Sequence, residues 1–348
     1  MISFASDYVE GCHPRILEAL VKTNMEQSLG YGCDEYSEEA RALIRERIAC
    51  KEAAIHFLVG GTQTNLLIIA ASLRPHEGVI SATTGHINVH ETGAIEACGH
   101  KVLAQETEDG KLTPEQIDAV LQAHLDEPTA EHMVKPGMIY ISNTTETGTV
   151  YKKAELKAIY EVAQRWEVPL YIDGARLGSA LMVEGQDLKL EDLAGLCDAF
   201  SIGGTKNGLL FGEALVIVNP RLQKDFRYIQ KQKGGMLAKG RLLGLQFKEL
   251  FRDNLFLEMA AHENEMARKL ADGLNKLGVR FASTPVSNQI FFCIPESVSK
   301  ELEKEFIYEV QEKRGEELVI RLCTSFATAK SNVERFLESL ERLIVAAN

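Results

Sequence analysis

Two short segments of this chain pair residue types that together can do chemistry. Tyr171-Ile172-Asp173-Gly174-Ala175-Arg176 ends an apolar run in a carboxylate, and Ser201-Ile202-Gly203-Gly204-Thr205-Lys206-Asn207-Gly208 sets a lysine among small residues. A carboxylate can hold a protonated pyridine nitrogen, and an unhindered amine can form a Schiff base with an aldehyde. Together they point to a pyridoxal 5'-phosphate (PLP) site, and so to an enzyme acting on an amino acid. Asp173 would keep the ring nitrogen protonated and make the ring an electron sink; its competing reading is a helix cap or a salt bridge to Arg176. Lys206 follows an apolar run, and Gly203, Gly204 and Gly208 would leave room for a flat ring. A partly desolvated lysine beside a cationic ring has a depressed pKa and becomes nucleophilic. The competing reading is a solvated surface lysine.

Further segments fit around this pair. Gly60-Gly61-Thr62-Gln63-Thr64-Asn65 follows one apolar run and opens a helical one. Glycines let the backbone approach an anion, a helix N-terminus offers free N–H groups, and Thr62 and Thr64 can add donors. An ordinary capped turn is the alternative. The Gly-Lys-Ser/Thr of a Walker loop is missing, as is a Gly-x-Gly-x-x-Gly fingerprint, which weakens a nicotinamide enzyme. His86 follows the run Val79 to Ala82 and could stack on a cofactor ring; His90 competes with it, and a structural histidine is the bland reading. Arg321 lies inside the apolar run Leu318 to Cys323. A buried arginine needs an anion, either a protein acid or a substrate carboxylate held bidentately.

The elements that must position these groups alternate. Strands are expected at Ile55 to Val59, Val79 to Ala82, Val102 to Ala104, Met138 to Ser142, Leu170 to Ile172, Ala199 to Ile202 and Leu215 to Val218. Helices are expected from Gln63 to Leu73 and from about Ala154 to Trp166, with another starting at Thr113, where Pro114 and Gln116 complete a capping box. Such alternation indicates a mostly parallel sheet covered by helices, which binds ligands at one edge. The last third reads differently. A long helical stretch, Leu242 to Leu277 with a break, precedes strands at Val279 to Ala282, Gln289 to Ile294 and Leu318 to Cys323, and helices at Val298 to Gln311 and Asn332 to Ala346.

Composition narrows the class. The chain has 348 residues, 45% hydrophobic and 25% charged, with a net charge of −12. Two domains are a fair expectation at that length. The acidic balance argues against a nucleic-acid partner. No apolar run is long enough to span a membrane, and the N-terminus lacks a basic leader. Seven scattered cysteines without a Cys-x-x-Cys pair fit reduced thiols in a cytoplasmic protein. No metal site is expected.

In this order, the segments resemble the threonine aldolase family of fold type I PLP enzymes, the β-eliminating lyase group, nearly end to end. Ser6-Asp7, Tyr31-Gly32-Cys33-Asp34, Lys51 to Ile55, Gly61-Thr62-Gln63-Thr64-Asn65, Asp173-Gly174-Ala175-Arg176, Lys206 and Arg321-Leu322 all match family segments. The resemblance implies an α/β fold: a mostly parallel seven-stranded sheet with helices on both faces (1–244, including the N-terminal segment) and a small C-terminal α+β domain (245–348). It implies PLP bound by Gly61, Thr62, Gln63, His86, Asp173, Arg176, Thr205 and Lys206, with Lys206 as the Schiff-base lysine. Ser6, Tyr31, Arg176 and Arg321 would bind the substrate. Three departures stand out. Glu146, in Ser142-Asn143-Thr144-Thr145-Glu146-Thr147-Gly148, takes the place of a family histidine that faces the substrate hydroxyl, and it or a water becomes the candidate base. Thr205-Lys206-Asn207 replaces Ser-Lys-Gly. Lys231 or Lys233, in a shifted basic stretch, would reach a neighbouring subunit's phosphate. The implied protein is a homodimer or homotetramer with shared active sites. It would cleave L-threonine, L-allo-threonine or a related β-hydroxy amino acid to glycine and an aldehyde. The alternative is another PLP enzyme of amino acids: a β-eliminating lyase, aminotransferase or racemase.

Overall fold

The structure, a computed structural model, describes residues 1–347. In chain order its strands are β1 (Ile2–Ser3), β2 (Ala54–Leu58), β3 (Glu77–Ala82), β4 (Val102–Gln105), β5 (Lys135–Ser142), β6 (Leu170–Asp173), β7 (Ala199–Gly203), β8 (Glu213–Ile217), β9 (Gln289–Pro295), β10 (Phe306–Ile307), β11 (Glu309–Arg314) and β12 (Glu317–Cys323). Seven form one sheet in the order β2-β8-β7-β6-β5-β3-β4. Only β8 runs against its neighbours in that sheet.

Side chains alternate across a strand, so a strand with both faces covered must be apolar at consecutive positions. That explains Tyr171-Ile172, Ala199-Phe200 and Leu215-Val216. Ile172, Phe200 and Val216 enter one core, while Tyr171, Ala199 and Leu215 enter the other. Helix Gly61–Ser72 covers the second face and Lys153–Arg165 the first. Thr113 and Gln116 form the expected capping box on helix Pro114–Asp126. One consequence matters for chemistry. Leu58, Ala82, Ser142, Asp173 and Gly203 all end parallel strands at one edge, and Glu213 opens the reversed β8 at that same edge.

A smaller antiparallel sheet, β11-β12-β9, carries its own core with helices Leu255–Lys276, Glu296–Leu302 and Lys330–Ala347. Three expectations change here. The long helix breaks at Arg252 to Asn254, where Asp253 takes φ +62°. Val279 to Ala282 makes only a bridge from Phe281 to Phe292, because Gly278 (φ +70°) and Pro285 bound it closely. The expected helix Val298 to Gln311 stops at Leu302. Residues 309–314 fold back through the turn at Gly315 (φ +65°) and cover the edge of β12.

The N-terminal segment also departs from expectation. β1 pairs with β10, and Phe4 enters the second core rather than the first. The division after residue 244 falls inside helix Arg241–Phe251, whose apolar face belongs to the first core. We propose two units that change over along helix Leu255–Lys276, whose first turns join the first core and whose later turns join the second, with residues 2–4 on the smaller unit. Among the described residues no helix is long and apolar enough to cross a membrane.

Phe4 ties this arrangement to the chemistry two residues on. Its ring lies 5.6 Å from Phe336, and its carbonyl accepts from the Cys323 N–H at 2.8 Å. Phe4→Ala should cost about 3–5 kcal/mol, read as a lower urea midpoint with an unchanged slope.

Candidate active site

Loops leaving the sheet's carboxyl edge enclose a cavity of about 330 Å³, lined by Gly61, Thr62, His86, Asp173, Arg176 and Lys206 among others. A larger cavity of about 500 Å³, beside Met182 to Glu184, gathers none of these groups. Asp173 is the best-held polar group in the site. Its Oδ2 accepts from Asn65 Nδ2 at 2.8 Å and from the Tyr140 hydroxyl at 2.7 Å, and its Oδ1 accepts from the Ala175 N–H at 2.9 Å. Asn65 donates again to Glu91 Oε1 at 2.7 Å and accepts from the Tyr171 hydroxyl at 2.9 Å. Glu91 holds His86 Nδ1 at 2.8 Å. Against a carboxylate that nitrogen is the donor, which fixes the ring's tautomer and orientation.

Glu146 Oε1 accepts from the His86 backbone N–H at 2.9 Å and from Ser142 Oγ at 2.6 Å. Burial raises its carboxyl above the ordinary glutamate value, against the bond from Ser142. Lys206 is half-buried, and its amine is pushed down by desolvation and then by the charge of Arg176, against Asp7, Asp173 and Glu213. Desolvation also acts on Asp7, but the Arg176 guanidinium overrides it and holds the carboxyl below its usual range. Burial, then the charge of Asp173, pushes the Tyr140 and Tyr171 phenols far up, so both act as neutral donors.

The sequence candidates divide. Gly61, Thr62, His86, Glu146, Asp173, Arg176, Thr205 and Lys206 all line the cavity. Asp173 makes neither the cap nor the Arg176 bridge that competed for it. Gln63 accepts from the Val59 N–H through Oε1 at 3.3 Å and is not among the residues that line the cavity, while Thr64 spends its hydroxyl proton on the Gly60 carbonyl at 2.9 Å. His90 lies beside His86, ring centres 5.5 Å apart, but lines a neighbouring cavity instead. The glycines around Lys206 do not make room for a ring. A Cβ on Gly203 would fall 2.1 Å from the Ala175 carbonyl, and one on Gly204 would fall 2.4 Å from Leu209, so both serve close backbone packing.

Arg176 reaches the cavity with its Nε and Nη2 already on Asp7, at 2.6 and 3.1 Å. Ser6 is buried beside Asp7 and outside the cavity lining. Arg321 takes the protein acid as partner, Glu309 at 2.7 Å across the β11–β12 pair, and also the Ala5 carbonyl at 3.2 Å. Tyr31 lies outside this chain's cavity, with the Lys231 ammonium 4.7 Å above its ring, and Lys233 sits 3.5 Å from Cys98 Sγ. Asn65, Glu91, Tyr140 and Glu213 were missed as site residues. Faint signals existed: an acid five residues after His86, and another heading the apolar run Ala214 to Ile217.

The donor set suits a PLP-sized anion. Gly60 and Gly61 open the 12-residue helix Gly61–Ser72, and a Cβ on either would meet no atom within 4 Å, so space for a phosphate remains at the helix start. An uncompensated carboxylate at Asp173 and a depressed amine at Lys206 complete the match. Among the described residues no cluster of three or more His, Cys, Asp or Glu side chains is placed to hold a metal.

Known proteins resemble this chain along most of its length. The sequence matches the family described as Beta-eliminating lyase over residues 3–296. A low specificity L-threonine aldolase of Pseudomonas aeruginosa is 33% identical over 297 residues, 84% of each chain. Another, from Escherichia coli K12, is 28% identical over 286 residues, 80% of each chain. The solved structure of Leishmania major threonine aldolase is similar at a TM-score of 0.96 and 46% identity, covering 99% of this chain and 100% of that one. With the fold type I architecture and a family match over most of its length, the chain belongs to the β-eliminating lyase family.

Proposed function

We propose that this protein is a PLP-dependent aldehyde-lyase that cleaves L-threonine, L-allo-threonine or a related β-hydroxy amino acid to glycine and an aldehyde. The observation that carries the reading is the convergence of Asp173 and Lys206 on one cavity, in a chain this similar to threonine aldolases. Gly61 and Thr62 would hold the phosphate, with Thr205 beside it; His86 would cover the ring face, Asp173 the ring nitrogen, and Lys206 the aldehyde carbon. Bound there, the cofactor supplies a cationic ring that takes up the electron pair of the breaking Cα–Cβ bond.

The rest falls to the chain's own groups. Arg176, aimed by Asp7, offers its remaining guanidinium face to the substrate carboxylate. Arg321 joins it by leaving Glu309, and Ser6 supports the pair. Glu146 Oε1 is taken by two donors, so Oε2 receives the β-hydroxyl proton, directly or through a water. A cytoplasmic location belongs to this reading, supported by seven unbonded cysteines.

The reading includes a homo-oligomer, dimer or tetramer, with shared sites. Helix Pro14–Lys22 and the loop after it leave Leu17, Val21, Met25 and Leu29 exposed, leading to Tyr31. A second copy covering that surface would bring Tyr31 and Lys231 or Lys233 to the neighbouring cavity. Dilution to monomer should therefore weaken cofactor affinity, followed by cofactor fluorescence; unchanged affinity would remove the shared site.

Two further outcomes test the chemistry. The purified protein should carry a borohydride-reducible adduct at Lys206 and release glycine plus aldehyde from at least one threonine diastereomer. Lys206→Ala should lose both, and an adduct at another lysine would sink the assignment. Because the Glu146 carboxyl is raised, kcat/KM should climb with pH through a midpoint above the ordinary glutamate value, as the base loses its proton. Glu146→Gln should flatten that limb and cut kcat about 10²–10⁴-fold.

A further inference from the structure

Glu213 lines the same cavity, yet it neither holds cofactor nor meets substrate in the scheme above. It opens β8, facing Gly203 of β7 on one side and Leu58 of β2 on the other, and it is 3% exposed. Its Oε2 is buried with no hydrogen-bond partner. Charged carboxylates are seldom left so in a protein interior, because the ion has been stripped of water and given nothing in return. Either the group is neutral for part of the time, or it has a use.

The local backbone shows which neighbour supplies the use. The Gly204 and Thr205 N–H groups donate to the Gly212 carbonyl at 2.9 and 3.0 Å, and the Gly212 N–H returns a bond to Thr205 Oγ1 at 3.0 Å. This clasp closes the loop between β7 and β8 at its base. Lys206 follows Thr205 and Glu213 follows Gly212, so the clasp joins the two backbone stretches that bring an amine and an acid to the same cavity. The other titratable or charged groups there are His86, Glu146 in the turn after β5, Asp173 at the end of β6, and Arg176 with Asp7. Asp173 has its own three donors, Glu146 has two and Asp7 has its guanidinium, so among these acids Glu213 is the one with a buried oxygen that no donor meets.

We propose that Glu213 is the proton partner of Lys206, and that one proton passes between Lys206 Nζ and the Glu213 carboxyl through a water between them. As the N–H bond of the ammonium breaks, an O–H bond forms on Glu213, and the amine becomes nucleophilic without a proton lost to solvent. The return step gives the proton back when the amine is released, and no electrons change owner. Burial supports the exchange from both ends. It pushes Glu213 up to about 8, against the pull of Lys206, and it pushes Lys206 down, so the two groups approach the same range. The proposal rests on Lys206 being the cofactor-binding amine.

The test uses the cofactor-free full chain and acetic anhydride as probe, with acetylation of Lys206 followed by peptide mass against pH. Coupled groups lose their protons in two macroscopic steps. The wild-type rate profile should therefore show two steps. Glu213→Gln should show one, displaced about tenfold towards higher proton concentration, because no carboxylate then steadies the ammonium. Glu213→Asp should restore the second step. Superimposable profiles for wild type and Glu213→Gln overturn the proposal. If Glu213→Gln does not fold, the wild-type profile decides, one step overturning the proposal and two supporting it. Failure of the cofactor assignment would look different, since the borohydride adduct would then map to another lysine.

Discussion

A buried carboxylate with its charge left free is the constraint around which this molecule is organised. Asp173 and Asp7 are both buried, and both would be costly as lone anions. They are satisfied in opposite ways. Asp7 faces a guanidinium, which cancels its charge. Asp173 faces an amide, a phenol and a backbone N–H, which solvate the anion without cancelling it. Asp173 therefore has no cation bonded to it and is open to a cationic ligand. The donors come from the helix after β2, from β5 and from its own turn, so the register that sets Ser142 beside Asp173 must hold for the anion to survive. The order of the central strands is thus tied to one side chain's solvation.

The smaller unit reaches the same site through the N-terminal segment. β1 and Phe4 anchor that segment on the second core, and three residues later Asp7 meets Arg176. Asn288, just before β9, donates to Asp7 Oδ2 at 2.9 Å. The direction of one guanidinium therefore depends on the sheet edge, the chain's beginning and the smaller unit together. Arg321 belongs to that unit too, so the two arginines proposed for the carboxylate come from different parts of the fold, β12 and the turn after β6.

What the sequence made legible follows the range of the forces involved. The seven strands could be read because each is short, apolar and locally bounded, and the Thr113 capping box because it closes within four residues. Asp173 could be singled out because it ends an apolar run, Lys206 because small residues after another apolar run lead to it, and Glu146 because a resemblance marked its place. Tertiary partners decided the rest. No local pattern shows that Asn65 will bridge Asp173 to Glu91, or that β11 will leave its helical pattern to cover β12. Gly203 and Gly204 look like space for a ligand and turn out to be contacts with Ala175 and Leu209. A small residue reads the same whether the space beside it is empty or full.

The place of Glu146 is easier to understand on this frame. A histidine carries its own second nitrogen to be oriented by; a carboxylate must be oriented by donors around it. Here the donors are the His86 N–H and Ser142 Oγ. Ser142 ends β5 next to Asp173, and His86 begins the helix after β3, the neighbouring strand. The proposed base, the imidazole proposed to cover the ring and the Asp173 carboxylate thus follow three adjacent strands, β5, β3 and β6. Their separations depend on strand spacing and on the hydrogen bonds that tie the turn of Glu146 to Ser142 and to the His86 N–H. A cleavage that requires one bond to stay upright over a flat ring gains its orientation from groups that cannot drift relative to one another. Glu146 fits that requirement because its anchor is the backbone of the very residue proposed to cover the ring.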